Sequence, residues 1–209
     1  MMSTVWKAAQ LDLALVKPYA KVIGFTLLLP IAFAAVNRSL LTGVSFAMCF
    51  IAMTTGYPFS IMEKNHMERL YGLLPARRGE LVLGRYLYVL ALGLLSLAVS
   101  LAVQPVVLRA LGETVTPADI VAAGAAGLLL FTLYTVFQLP GYYKFGAIQG
   151  RIFMYIPVAG FLATLFFLPA GLPVAVSPAL ACALVAAVVV VLYAASAWCS
   201  VRIMKNKEL

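Results

Sequence analysis

Long stretches of this chain carry no charged residue, and this pattern limits the possible folds more than any other feature. The uncharged and mostly apolar runs are residues 22–37, 40–62, 86–108, 120–143 and 152–201. A helix needs about 20 such residues to cross the hydrocarbon core of a bilayer. Hydrophobic residues make up 64% of the chain, whereas about 45–50% is usual in soluble domains. The pattern therefore predicts an integral membrane protein.

The last run is too long for one crossing, because it extends for 50 residues. The segments PAGLP at 169–173 and SP at 177–178 are typical of a turn and divide it into two helices. We predict an all-α membrane protein with a single transmembrane domain over residues 1–209. Its six transmembrane helices are expected at 19–36, 40–62, 81–108, 120–141, 152–168 and 178–203.

The distribution of Lys and Arg predicts the orientation, since loops on the cytoplasmic side carry the excess of these residues. If both termini are cytoplasmic, only Arg38 and Arg109 lie outside. The other 13 of the 15 Lys and Arg residues then lie inside. We expect a multi-pass protein of the cell membrane with both termini in the cytoplasm. The net charge of +8 is then explained by topology and anionic lipid rather than by nucleic-acid binding.

Residues 3–17 have the pattern of an amphipathic helix. Val5, Trp6, Ala9 and Leu13 can share one side, and Pro18 ends the segment because a residue before proline is disfavoured in helical conformation. One interpretation is a helix lying along the inner membrane surface, as amphipathic helices of this kind do. The other is an early start of the first span.

A polar segment over residues 63–80 separates the second and third spans. Within it, Met67, Leu70, Tyr71 and Leu74 follow the spacing of one helical face, and Pro75 ends the pattern. We predict a short helix over 63–75 with an apolar stripe and a charged back. Such a helix can lie on lipid or dock into a groove of a cytosolic partner.

Two segments carry a family resemblance. The run MEKNHMERLYGLLPARRGELVLGRYL resembles the first cytoplasmic loop of ABC-2 type transporter permeases, with Glu63, then Leu74, Pro75 and Arg77, then the start of the third span at 81–86. The run LPGYYKFGAIQGRI resembles the second cytoplasmic loop of the same family. The subfamily it resembles is the small six-helix bacterial one, which includes exporters of phenol-soluble modulins and other antimicrobial peptides.

The resemblance implies a permease subunit without enzymatic activity of its own. Such permeases pair with a second permease, identical or paralogous, and with two cytosolic ABC ATPase subunits that bind ATP and magnesium; this chain would carry no cofactor. The N-terminal helix would be the family's elbow helix, and the helix over 63–75 its coupling helix. The implied docking residues are Glu63, Met67, Glu68, Arg69, Leu70, Tyr71, Leu74, Pro75, Arg77 and Arg78. In the second loop at 141–151, the residues singled out by the resemblance are Lys144, Gly146 and Arg151.

Motifs for an energy source on the chain itself are lacking. The sequence contains no G-x-x-x-x-G-K-[ST] phosphate loop, and no ionisable residue falls deep inside a predicted span, as a proton relay would require. His66 stands alone without a zinc or triad pattern, and Cys49, Cys182 and Cys199 share no metal-ligand spacing. These absences favour energy from a separate ATPase. The resemblance then implies an ATP-driven exporter of an amphipathic substrate, with a peptide as the expected cargo. The alternatives are a membrane immunity or sensor subunit that binds a cytosolic regulator, and an ion-coupled carrier.

Overall fold

The computed structural model describes residues 2–67, 76–155 and 178–206, and every regular element in these ranges is helical. The predicted all-α fold is therefore confirmed for the described part of the chain. In chain order the helices are α1 (Met2–Val16), α2 (Ala20–Asn37), α3 (Leu40–Thr54), α4 (Tyr57–Lys64), α5 (Arg78–Ala110), α6 (Pro117–Gly150) and α7 (Pro178–Asn206). Two 3₁₀ turns, Lys17–Tyr19 and Arg151–Met154, follow α1 and α6.

Five segments of the described ranges are long and apolar enough to cross a membrane. They are Thr4–Asn37, Leu40–Lys64, Arg78–Ala110, Pro117–Phe153 and Cys182–Asn206. The predicted span at 152–168 falls mostly on residues 156–177, which lie outside the described residues. The first segment combines α1, the 3₁₀ turn and α2, so both interpretations of residues 3–17 stay predictions.

The short turns at one end of the bundle are specified by ordinary capping chemistry. Ser39 caps α3 by accepting a hydrogen bond from the Thr42 backbone N–H at 3.4 Å. Thr116 and Asp119 form a capping box at the start of α6, where the Asp119 carboxylate accepts from the Thr116 backbone N–H at 2.9 Å. An exposed ion pair of 3.4 Å between Arg38 and Glu113 joins the two turns.

The structure corrects the prediction of a second loop at 141–151. Helix α6 continues without interruption through the segment GYYKF, and its only non-helical residue is Gly146, with φ 81° and ψ −179°. Helix geometry then resumes and runs into the 3₁₀ turn at Arg151. The prediction failed because Lys144 ends the uncharged run, whereas a lysine has good helix propensity and does not end a helix.

The core lies between α3, α5 and α6, where Val44, Met48, Val89 and Phe131 are almost fully buried. Several neutral polar groups of the spans join helices, as expected in lipid. The Thr55 hydroxyl donates to the Gln138 side-chain oxygen at 3.3 Å. Thr135 and Tyr193 hydroxyls lie 2.9 Å apart and join α6 to α7.

Other polar residues and one proline of the spans do not join helices by side-chain hydrogen bonds within the described chain. Thr54 and Thr132 donate to carbonyls of their own helices. Pro58 lies in the first turn of α4, where a missing N–H costs no hydrogen bond. Gln104 is fully buried and its side-chain amide has no partner among the described residues.

Candidate functional site

One end of the bundle collects most of the cations of the described residues, and we call it the basic end. Here α4 ends, α5 begins, α6 is broken and α7 ends. The cations on these helix ends are Lys64, Arg77, Arg78, Lys144, Arg151, Arg202 and Lys205. The opposite end carries the Arg38–Glu113 pair.

The residues predicted to dock a partner are only partly within the described chain. Glu63 lies at the end of α4, Met67 in the turn after it, and Arg77 and Arg78 at the start of α5. Glu68, Arg69, Leu70, Tyr71, Leu74 and Pro75 lie outside the described residues. The apolar stripe of the predicted 63–75 helix therefore stays a prediction.

The N-terminal part of that predicted helix has a different structure from the one expected. Helix α4 ends at Lys64, and His66 adopts a left-handed conformation with φ 51°. The Met67 N–H donates to the Met62 carbonyl at 3.0 Å, and the His66 N–H donates to the Glu63 carbonyl at 3.3 Å. This bond pattern is the Schellman motif, which terminates a helix. Glu63 and Lys64 consequently belong to the helix that continues the second span.

Glu63 connects the two segments that resemble cytoplasmic loops. Its carboxylate accepts a hydrogen bond of 2.6 Å from the backbone N–H of Ala147, the first residue after the break in α6. The broken position needs glycine, because its backbone conformation is accessible to almost no other residue. The carboxylate thus satisfies a donor that the break in α6 would leave without a helical partner.

The start of α5 is tied to the end of α7. The Arg78 guanidinium donates to the Met204 carbonyl oxygen at 3.4 Å. A cation at the C-terminus of a helix is stabilised by the helix dipole. Next to it, the Arg77 backbone N–H donates to the Glu80 carboxylate at 3.2 Å, and the Arg77 side chain is exposed.

A buried ion pair joins α1 to α5, and sequence reasoning missed it. Arg85 Nε lies 2.9 Å from Asp12 Oδ2, and Arg85 Nη2 lies 2.6 Å from Asp12 Oδ1. The side chains are 5% and 3% exposed. The guanidinium also stacks 4.3 Å from the Phe59 ring centroid of α4. This pair lies about 10 Å from the start of α5, given a rise of about 1.5 Å per residue.

Two neighbours of Arg85 complete these contacts. A methyl group on Gly84 would lie 2.5 Å from the Ala8 side chain and 2.8 Å from the Val5 carbonyl oxygen, so only glycine allows α1 this close. The Tyr86 hydroxyl lies 2.6 Å from the Ser196 hydroxyl and 2.8 Å from that of Ser200, both on α7. Gly84, Arg85 and Tyr86 are consecutive residues of the segment 62–87. Together they fasten α5 to α1 and to α7.

The other predicted residues of the second segment lie at the same end. The Lys144 ammonium lies 5.1 Å from the centroid of the Phe145 ring, and Arg151 donates to the Ser60 hydroxyl of α4 at 3.5 Å. The structure thus brings Glu63 together with Gly146, and Arg151 together with α4.

Asp12 was not predicted as a contact residue because its sequence signal is weak. That signal is only that Asp12 is the one acidic residue among the first 60 positions.

No group of His, Cys, Asp and Glu side chains suited to a metal ion occurs within residues 2–67, 76–155 and 178–206. The three cysteines are free thiols.

A family model described as "ABC-2 family transporter protein" matches residues 10–205. No curated protein and no solved structure matches the chain.

Proposed function

This chain belongs to the ABC-2 family of transporter proteins. From that premise we propose that it is an exporter permease, driven by an ATPase that binds at its basic end. Family membership makes it a multi-pass transmembrane component of an ABC transporter that works with separate ABC ATPase subunits. The finer proposal is that the segment between α4 and α5 receives the ATPase. The described contacts on either side of this segment support it.

The observation that carries the proposal is that both ends of the segment are fastened to other helices. Its N-terminal end is held to α6 by Glu63 on Ala147. Its C-terminal end is held to α7 by Arg78 on the Met204 carbonyl. A displacement of residues 65–77 is therefore transmitted to α6 and α7 together.

The two contacts differ in strength. The partly buried bond of 2.6 Å between the Glu63 carboxylate and the Ala147 N–H is of a kind that contributes about 1.5–3 kcal/mol, whereas the exposed Arg78–Met204 bond of 3.4 Å is long and contributes less. Rigid elements joined in this way pass on a movement only if they have two discrete arrangements. The glycine break in α6 gives that helix a natural hinge, because the four residues after Gly146 form a separate short helical piece.

The elbow interpretation of α1 is part of the same proposal. Asp12 and Arg85 hold α1 against the first turns of α5, so α1 would move with the start of α5. With the basic end in the cytoplasm, α1 lies at the inner membrane surface, and its exposed Trp6 and Leu13 face lipid.

The assembly we propose contains two ATPase subunits, which bind ATP and magnesium, and a second permease that is identical or paralogous. Transport is directed outward, and the cargo is an amphipathic molecule, in first place a peptide. These points are supported by the similarity of residues 62–87 and 139–152 to peptide exporters of the family.

The test is co-expression with an ABC ATPase subunit encoded in the same genome, followed by purification through a tag on the permease. We expect a stable complex whose ATPase rate differs from that of the free ATPase. The Arg77→Glu variant should weaken the complex by reversing an exposed charge of the docking segment, and Arg77 forms no ion pair within the described residues. Arg109→Glu, at the opposite end, is the matched control. A complex unaffected by Arg77→Glu and Tyr71→Asp would contradict the proposed docking segment.

A further inference from the structure

A cleft of about 360 Å³ opens beside the basic end, between α2, the junction of α3 with α4, and the end of α6. Its described lining includes Thr26, Phe50, Met53, Tyr57, Ser60 and Arg151. None of the contacts that fasten the docking segment involves this lining. Its chemistry therefore needs a separate explanation.

The mouth of the cleft is cationic and rich in hydroxyl groups. The exposed Arg151 side chain makes one hydrogen bond, to the Ser60 hydroxyl at 3.5 Å, and no carboxylate of the described chain pairs with it. The Tyr57 hydroxyl has no hydrogen-bond partner in the same ranges, and its ring stacks on Tyr19 with centroids 5.4 Å apart. A guanidinium with most of its donors free is suited to phosphate, which it can bind in a bidentate manner.

The interior of the cleft is apolar. Phe50 and Met53 lie on α3, near the middle of the candidate span Leu40–Lys64, and Met53 is 44% exposed. Tyrosine side chains such as Tyr19 and Tyr57 are typical of the membrane–water interface. The cleft therefore runs from a cationic interfacial mouth to an apolar wall at hydrocarbon depth.

The size of the cleft limits its occupant. Pockets for small molecules have volumes of about 300–1,000 Å³, and 360 Å³ lies at the lower end of that range. This volume admits a headgroup phosphate with the first part of an acyl chain, whereas a folded polypeptide is too large.

We propose that this cleft binds one anionic phospholipid of the adjoining leaflet. The lipid phosphate binds Arg151 together with the hydroxyls of Ser60 and Tyr57, and an acyl chain lies along Phe50 and Met53. The site depends only on the membrane location of the chain, so it is independent of the proposed docking of an ATPase.

Lipid binding by the purified full chain in neutral detergent tests the site. Native mass spectrometry measures the affinity for phosphatidylglycerol and for phosphatidylcholine with the same acyl chains. We expect tighter binding of phosphatidylglycerol. Arg151→Gln should reduce that affinity about tenfold, as the loss of one hydrogen bond to a charged group implies, whereas Arg151→Lys should keep most of it.

Lys144→Gln is the matched control, because Lys144 is an exposed cation on the same stretch of α6 but does not line this cleft. It should leave the affinity within about twofold, since a distant exposed charge contributes little. Glycerol phosphate, which has the headgroup chemistry without acyl chains, should not compete. Equal loss in Lys144→Gln and Arg151→Gln, equal binding of the two lipids, or full competition by glycerol phosphate would each overturn the lipid site. Because no ATPase is present, these outcomes do not bear on the proposed function.

Discussion

The carboxylate of Glu63 and the backbone N–H of Ala147 are 84 positions apart in sequence and 2.6 Å apart in the structure. This contact links the end of α4 to the break in α6. The two segments that resemble separate cytoplasmic loops of transporter permeases thus form one connected unit in the structure.

Removing the Glu63 charge should weaken that unit. Glu63→Gln keeps the shape of the side chain but replaces a carboxylate acceptor by a neutral amide, so we expect a loss of about 1–2 kcal/mol in the free energy of unfolding. The loss is measured by thermal unfolding in detergent. Glu113→Gln is the control, since Glu113 forms an exposed ion pair with Arg38 and exposed pairs contribute about 0–1 kcal/mol. Equal effects of the two substitutions would contradict a structural role specific to Glu63.

The glycine at the break should not be replaceable. Gly146→Ala forces a methyl group into a backbone conformation with φ 81°, and this methyl group would lie 3.1 Å from the Glu63 carboxylate. Strain of this kind costs about 1–3 kcal/mol. Gly24→Ala is the matched control, because Gly24 lies inside α2 with open space around it, and alanine has the higher helix propensity. Unfolding midpoints of the two variants should therefore shift in different directions, and a neutral Gly146→Ala would argue against a required break.

The Asp12–Arg85 pair should be the most sensitive contact of α1. Asp12→Asn removes the carboxylate that Arg85 contacts through two hydrogen bonds, and removing one partner of a buried pair costs about 3–5 kcal/mol. Replacing both residues by Leu and Met should recover most of that loss, because well-packed apolar side chains often substitute for a buried pair without penalty. Denaturation of the single and double variants measures both effects. If Asp12→Asn has no effect, the buried pair does not hold α1 in place.

Much of the fold could be predicted from the sequence because its signal is local. The uncharged runs place α2, α3 with α4, α5 and α7 within a few residues of their observed positions, since burying a charge in lipid is costly. Pro18 and Ser39 likewise mark turns by their own chemistry.

The contacts of the candidate site could not be predicted in the same way. Arg85 and Asp12 are 73 positions apart, and no local pattern specifies which cation a lone carboxylate meets. The polar segment was predicted as one helix from residue 63, but the Schellman turn at His66 separates its start from the rest. Residues 141–151 were interpreted as a loop, although α6 continues through Lys144 to the break at Gly146.

The most direct test of the account places a photo-crosslinking amino acid at Tyr71 of the full chain, co-expressed with the ABC ATPase subunit of the binding experiment. We predict a crosslink to the ATPase from position 71, and none from position 111 at the opposite end, where Leu111 is 49% exposed. Crosslinks from position 71 to lipid alone, in a preparation that contains the assembled ATPase, would contradict the claim that the segment between α4 and α5 receives the ATPase.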